Sequence, residues 1–420
     1  MKKIDVKNSI RNLSIPVAKE LCGFKLISKY RSALMGFSAI WILVFHLWRT
    51  FVTMDTAALA YLEYRVKRFG YCGVDIFLLL SGMGLTYAIG KSKLPVFYYR
   101  RLKRIILPFI TIAVIRMFKE NWSMESFLNN ISGKAFYTQS IYCFLWFVPA
   151  IVSLYIIFPL YWKGFKKTGA YFWTGTMLLL WLLFELGVKD TLRGDLFGFI
   201  NRIPVFIIGV LLGYLTQTRG NIPFKRRAYF PIALVFILGL KFLELTNFSD
   251  FPLIVNTPNC CFPPLLISVS FPFLFAKLLN ELESRKGFCV VGKIINGFFK
   301  FFAGFTIEIY CLQEWFNSIH SPSLLEKGWG PLKVNIVIFT EIILISFAAS
   351  VVFKYFWKLV EWPFIRNKKS EIKSSVENRF TATDEGIILE ESGIKYLESI
   401  TERMEAAAER MEKATEKLKL

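Results

Sequence analysis

Long apolar runs recur along the whole length of this 420-residue chain, separated by short charged connections. They fall near 33–51, 71–90, 105–118, 141–162, 169–187, 196–216, 228–245, 263–280, 299–319 and 333–357. An α-helix rises 1.5 Å per residue, so roughly 18–20 apolar residues cross the hydrocarbon core of a bilayer. Inside that core no water is available to the backbone, and a helix satisfies every N–H and C=O group within itself. Hydrophobic residues make up 54% of the chain and include 43 phenylalanines, more than a water-soluble core would spread over its entire length. The expected fold class is an all-α integral membrane protein with ten transmembrane helices.

The net charge of +21 sits in short clusters between the apolar runs. That placement fits membrane loops and argues against a nucleic-acid-binding face. The N-terminal segment and the second, fourth, sixth and eighth connections carry more than twice the lysine and arginine of the alternate connections. The positive-inside rule therefore puts both termini in the cytoplasm, and the first run reads as a retained span rather than a cleaved leader. The seven cysteines show no Cys-x-x-Cys spacing, so no metal site is expected. Cys72, Cys143, Cys260 and Cys261 fall toward the outer face, where a disulfide could form, although free apolar cysteines are the plainer reading. Three regions are expected: a cytoplasmic segment (1–32), the ten-helix membrane domain (33–366), and a soluble helical tail (367–420). In the tail, Leu397, Ile400, Met404, Ala407, Met411, Ala414 and Leu418 recur at steps of three and four. This is either a solvated amphipathic helix or a short coiled coil through which the chain would form a homo-oligomer.

Only two histidines occur, and His46 alone lies within an apolar run, Leu34–Phe51. A titratable group is costly in a membrane and by default marks a functional site. With the first span running outward and the second inward, His46 and Asp75 share the outer half. Their matching depth suggests a base and the carboxylate that orients it. On the opposite side, Arg100, Arg101, Lys103 and Arg104 precede Pro108. Such a cluster either anchors the topology or binds an anion, since arginine grips phosphate bidentately.

The order of short motifs resembles the integral-membrane acyltransferase family, type 3. The resemblance covers about residues 30–366. It begins with Leu34–His46, Gly73-Val74-Asp75-Ile76-Phe77, Ser81-Gly82, the arginine cluster and Pro108. Leu145-Trp146-Phe147, Tyr155, Phe158-Pro159-Leu160, Arg202-Ile203-Pro204, Phe206, Gly209 and Gly213 follow. Gly304, Glu308-Ile309-Tyr310 and Val360-Glu361-Trp362-Pro363-Phe364 complete the series.

The resemblance implies a bacterial cell-membrane enzyme that takes an acyl group, usually acetyl, from cytoplasmic acetyl-CoA. The acceptor would be a hydroxyl of a glycan or lipid-linked sugar at the outer face. His46 and Asp75 would be catalytic, while Arg31, Arg100, Arg101, Arg104, Trp146 and Tyr155 would hold the donor. Ser81, Glu308 and Arg202 are further candidates, Ser81 as a covalent relay set against direct transfer.

Two positions depart from the family pattern. Met35 stands where the family commonly has an arginine, with Arg31 one turn earlier as a substitute. The late Tyr-x-x-His reads Tyr310-Cys311-Leu312-Gln313. Two other classes remain beside the enzyme: a polytopic transporter or flippase, and a non-catalytic family member acting as sensor or assembly partner.

Overall fold

The computed structural model describes residues 23–47, 57–138, 143, 145–188, 191, 194–220, 224–248, 262–316 and 320–381. Every regular element among them is helical. In chain order these are α1 (Phe24–Lys29), α2 (Arg31–His46), α3 (Ala57–Arg68), α4 (Cys72–Ala88), α5 (Leu94–Lys119), α6 (Met124–Ile131), α7 (Lys134–Tyr137), α8 (Phe147–Thr168) and α9 (Ala170–Val188). They continue with α10 (Gly194–Ile200), α11 (Ile203–Arg219), α12 (Tyr229–Phe248), α13 (Phe262–Ser284), α14 (Cys289–Phe302), α15 (Thr306–Trp315), α16 (Ser321–Glu326) and α17 (Pro331–Thr381). The described helices form one compact unit up to Phe353, and a second begins at Lys354. The heptad positions of the tail, and Cys260 and Cys261, lie outside the described residues. Cys72 and Cys143 are free thiols.

Seven described segments are long and apolar enough to cross a membrane, and an eighth is counted if the bent pair α14–α15 is one span. The chain is therefore a multi-pass membrane protein. Two of the ten expected segments fall outside that criterion. Helix α2 has only 16 residues and ends at His46, short of the predicted boundary at 51. Helix α5 has 26 residues, but its first half carries Arg100, Arg101, Lys103 and Arg104. The ninth segment is interrupted: α14 and α15 meet at 60° around Ala303–Phe305.

Close helix crossings replace hydrophobic driving force inside a bilayer, where lipid is as apolar as leucine, and small residues make them. Helices α4 and α11 cross in this way. A Cβ on Gly209 would run into the Leu79 backbone, one on Gly213 into Thr86 and Met83, and one on Gly82 into the Phe206 carbonyl. Gly209 and Gly213 thus form a small-xxx-small pair. Gly36 likewise lets α2 lie against α14, where a side chain would meet the Phe299 carbonyl.

At the base of α2, Tyr30 is fully buried and its hydroxyl donates to Glu283 at 2.7 Å. Asn296 donates to the other oxygen of the same carboxylate at 2.6 Å, and Lys29 stands 3.3 Å away. Burial, and then the Glu283 carboxylate, push the Tyr30 phenol up, so it stays protonated as the donor. The start of α2 is thereby tied to α13 and α14.

Candidate active site

Helix α2 turns Arg31, Met35, Ala39 and Ile42 toward one side at steps of four, four and three, a single helical face. Helix α4 presents Val74, Phe77 and Ser81, and α8 presents Phe147, Ile151 and Tyr155. Helix α15 adds Ile307, Tyr310 and Gln313, while α5 closes the space with Arg100, Arg101, Arg104 and Ile105. These stripes line one cavity of about 180 Å³. A second cavity of about 320 Å³ adjoins it, sharing Arg100 and Arg101 and adding Lys91, Ser92 and Tyr87.

The first cavity has a cationic end and an apolar end. At the cationic end, Arg31 donates to the Leu80 carbonyl at 3.1 Å, and Arg101 donates to the Gly84 carbonyl at 3.3 Å. Leu80 is at the middle of α4 and Gly84 is one turn from its C-terminal residue Ala88, so the two arginines are held one turn apart along the same helix. Arg31, Arg101 and Arg104 surround Tyr155, whose hydroxyl is within reach of Ser81. Arg31 also feels the repulsion of Arg101 and Arg104. Among the described residues the lining contains four arginines and no carboxylate. Like charges gathered without a counter-anion favour a ligand that supplies one.

The opposite end is walled by Ile42, Val74 and Phe147. The Phe147 N–H donates to the Tyr310 hydroxyl at 3.0 Å, and the two rings lie 5.5 Å apart. Gln313, one turn along α15, is fully buried, and neither atom of its carboxamide has a hydrogen-bond partner among the described residues.

His46 is the last residue of α2 and continues the Met35–Ala39–Ile42 stripe by one further turn. It does not itself line the cavity, which ends beside Ile42. Its imidazole meets the edge of Phe45 at 5.1 Å.

The expected contact between His46 and Asp75 is not formed. Asp75 is completely buried and faces Arg202, with Oδ2 and Nε 3.5 Å apart. Arg202 in turn donates to the Gly198 carbonyl at 2.6 Å and lies over the Trp146 ring at 5.6 Å. The physical reason is compensation. A buried carboxylate requires a cation, and Arg202, carried to α4 by the tight α4–α11 crossing, supplies a permanent one.

Among the other sequence candidates, Arg31, Arg100, Arg101, Arg104, Tyr155 and Ser81 line the cavity, whereas Trp146, Glu308 and Arg202 do not. Met35 also lines it, one turn from Arg31 on the same face. Sequence reasoning treated Gln313 only as a missing histidine. The signal for it was present in the i, i+3 spacing from Tyr310, which puts both on one helical face. Among the described residues no group of three or more histidine, cysteine or acidic side chains is arranged to hold a metal ion.

No curated protein and no solved structure matches the chain. A family model described as an acyltransferase domain does match, over residues 33–355. That span covers most of the chain and contains every side chain of the cavity except Arg31, so the protein belongs to the type 3 acyltransferase family.

Proposed function

We propose that this protein is a membrane O-acyltransferase that takes an acyl group, acetyl in the first instance, from cytoplasmic acyl-CoA. It passes the group to a hydroxyl of a cell-envelope or extracellular glycan, or of its lipid-linked precursor. The observation that carries the reading is the cavity, with four arginines at one end and a far end one helical turn from His46. On this reading the chain crosses a bacterial cell membrane ten times, counting α2, α5 and the bent α14–α15 pair as spans. Both termini are cytoplasmic.

Arg31, Arg101 and Arg104 hold the donor's phosphates, and Arg31 stands in for the arginine that Met35 replaces. Arg100, Arg101, Lys91 and Ser92 of the adjoining cavity accommodate the nucleotide portion. The thioester arm then extends along the apolar walls toward Ile42 and Phe147. Arg31 and His46 are 15 residues apart on one helix, about 22 Å along its axis. The phosphates and the reacting carbon thereby sit in different halves of the membrane.

In the transfer, the acceptor oxygen attacks the thioester carbonyl carbon while His46 takes its proton. A new C–O bond forms, the C–S bond breaks, and the proton passes to the departing thiolate, giving ester and free CoA. Asp75 supports this site through Arg202 and the α4–α11 crossing rather than by touching the imidazole. Direct transfer is preferred to an acyl-serine, because Ser81 belongs to the cationic end beside Tyr155, remote from His46.

Purified protein in lipid nanodiscs is expected to release CoA from acetyl-CoA in the presence of an envelope glycan fraction. His46→Ala should lower that turnover at least a hundredfold with an unchanged thermal midpoint. Wild-type turnover in the variant would remove the imidazole from the mechanism.

A further inference from the structure

Among the neutral polar side chains of the cavity, Gln313 is left idle by the mechanism above and has no hydrogen-bond partner among the described residues. Gln313 has no exposed surface, lines the cavity, and leaves both its carboxamide oxygen and its carboxamide nitrogen without a partner among the described residues. A buried amide that has lost its water and gained no protein partner is costly, and such groups are found where a ligand completes them. Leucine fills a similar volume without this cost, so packing alone does not account for glutamine.

Its position narrows the ligand group. Gln313 is one turn from Tyr310, which is hydrogen-bonded to Phe147 at the end of the cavity away from the arginines. Of the neighbouring walls there, Ile42, Val74, Phe77 and Phe147 carry no side-chain donor, and the Tyr310 hydroxyl is engaged as acceptor by the Phe147 N–H. If phosphates occupy the arginine end, as the proposed function holds, the group arriving at the Gln313 end is the thioester carbonyl. That oxygen accepts hydrogen bonds and becomes negatively charged during attack.

We infer that Gln313 is a catalytic residue whose Nε2–H donates to the acyl donor's thioester carbonyl oxygen and holds it as it becomes an oxyanion. As the acceptor oxygen bonds to the carbonyl carbon, the C=O electron pair moves onto that oxygen and is stabilised by the amide N–H. It returns when the C–S bond breaks and the thiolate leaves with the proton taken up by His46. Donors fixed in advance where charge develops in a dry site are worth far more than in water. A carboxamide also stays neutral at every working pH, so this interaction would not titrate.

The test uses the full-length protein in nanodiscs, with acetyl-CoA as donor and unacylated CoA as the binding probe. Gln313→Leu is expected to lower kcat by about 100-fold, the loss typical of one oxyanion donor. CoA affinity should stay within about twofold, and the thermal midpoint should be equal or higher, because an unsatisfied amide has been removed. Gln313→Glu, which exchanges the donor for a negative charge, should lose at least as much. Gln313→His, which restores an N–H, should recover about tenfold over the leucine variant.

An active wild type with a Gln313→Leu variant within threefold of it overturns the assignment. So does a parallel loss of CoA affinity, which would put Gln313 on the pantetheine arm, or a lower thermal midpoint, which would reveal a structural partner. A wild type that releases no CoA at all defeats the donor reading of the whole cavity, and this inference with it.

Discussion

The buried charges Asp75 and Arg202, beside the cavity but not lining it, illustrate how a membrane protein tolerates ionic groups. Both are buried, and their 3.5 Å separation is a close ion pair rather than a well-formed hydrogen bond. Removing one partner leaves the other as an uncompensated charge, at a cost of about 3–5 kcal/mol. Asp75→Ala should therefore sharply lower the thermal midpoint in detergent. The double variant Asp75→Leu/Arg202→Met should recover most of it, and a double variant no more stable than the single would show that the pair is not the reason.

At the cationic end the expectation is different, because Arg101 and Arg104 face a cavity rather than a protein carboxylate. Hydrogen bonds to charged groups are each worth about 1.5–3 kcal/mol. Arg101→Gln/Arg104→Gln should raise KM for acyl-CoA at least tenfold with a smaller effect on kcat. Unchanged CoA affinity would reduce the cluster to a topological anchor. The arginines were legible in the sequence because their chemistry is local. The partner of Asp75 was not, because it comes from a helix more than a hundred residues away.

Helical periodicity explains most of what was readable at the next scale. The cavity is built from stripes at steps of three and four on α2, α4, α8 and α15, and each stripe can be traced in the sequence. What periodicity did not give was which face turns inward. On α9 and α12 nearly every side chain is apolar, and only a small part of each helix is buried in the protein.

The α4–α11 crossing should be the least tolerant element. Gly209→Leu would force the two backbones apart and cost about 1–3 kcal/mol or more, read as a lower thermal midpoint and loss of monodisperse protein. Leu180→Ala, on the exposed side of α9, trims a side chain at a position 52% exposed. It should be close to neutral, and equal damage from both changes would mean that close packing at the crossing is unimportant. The bend at Ala303–Phe305 and the early end of α2 were not visible in hydropathy, which reports apolar content over a window and not the path of the backbone.

For the molecule as a whole, the uneven distribution of lysine and arginine between alternate connections supports the proposed arrangement across the membrane. Single cysteines at Lys225 and Lys286, in a background without native cysteines, should be labelled by an impermeant thiol reagent only from the cytoplasmic side. Cysteines at Lys134 and Lys327 should be labelled only from outside. Labelling of Lys286 and Lys327 positions from one side would mean that the bent α14–α15 pair re-enters instead of crossing, and that the ten-span reading is wrong.

Taken alone, the sequence determined that the chain lives in a bilayer, which charges gather between its helices, and which order of motifs links it to its family. These are properties of composition and spacing along one dimension, and they do not depend on which helices touch. Only the tertiary structure decided that Asp75 pairs with Arg202, that the arginines open onto a cavity with one apolar end, and that Gln313 stands inside it without a partner among the described residues. Each of these turns on the rotation of a helix about its axis and on the identity of its neighbour. Between uniformly apolar surfaces, glycine contacts and buried charge settle those choices, and hydrophobicity does not.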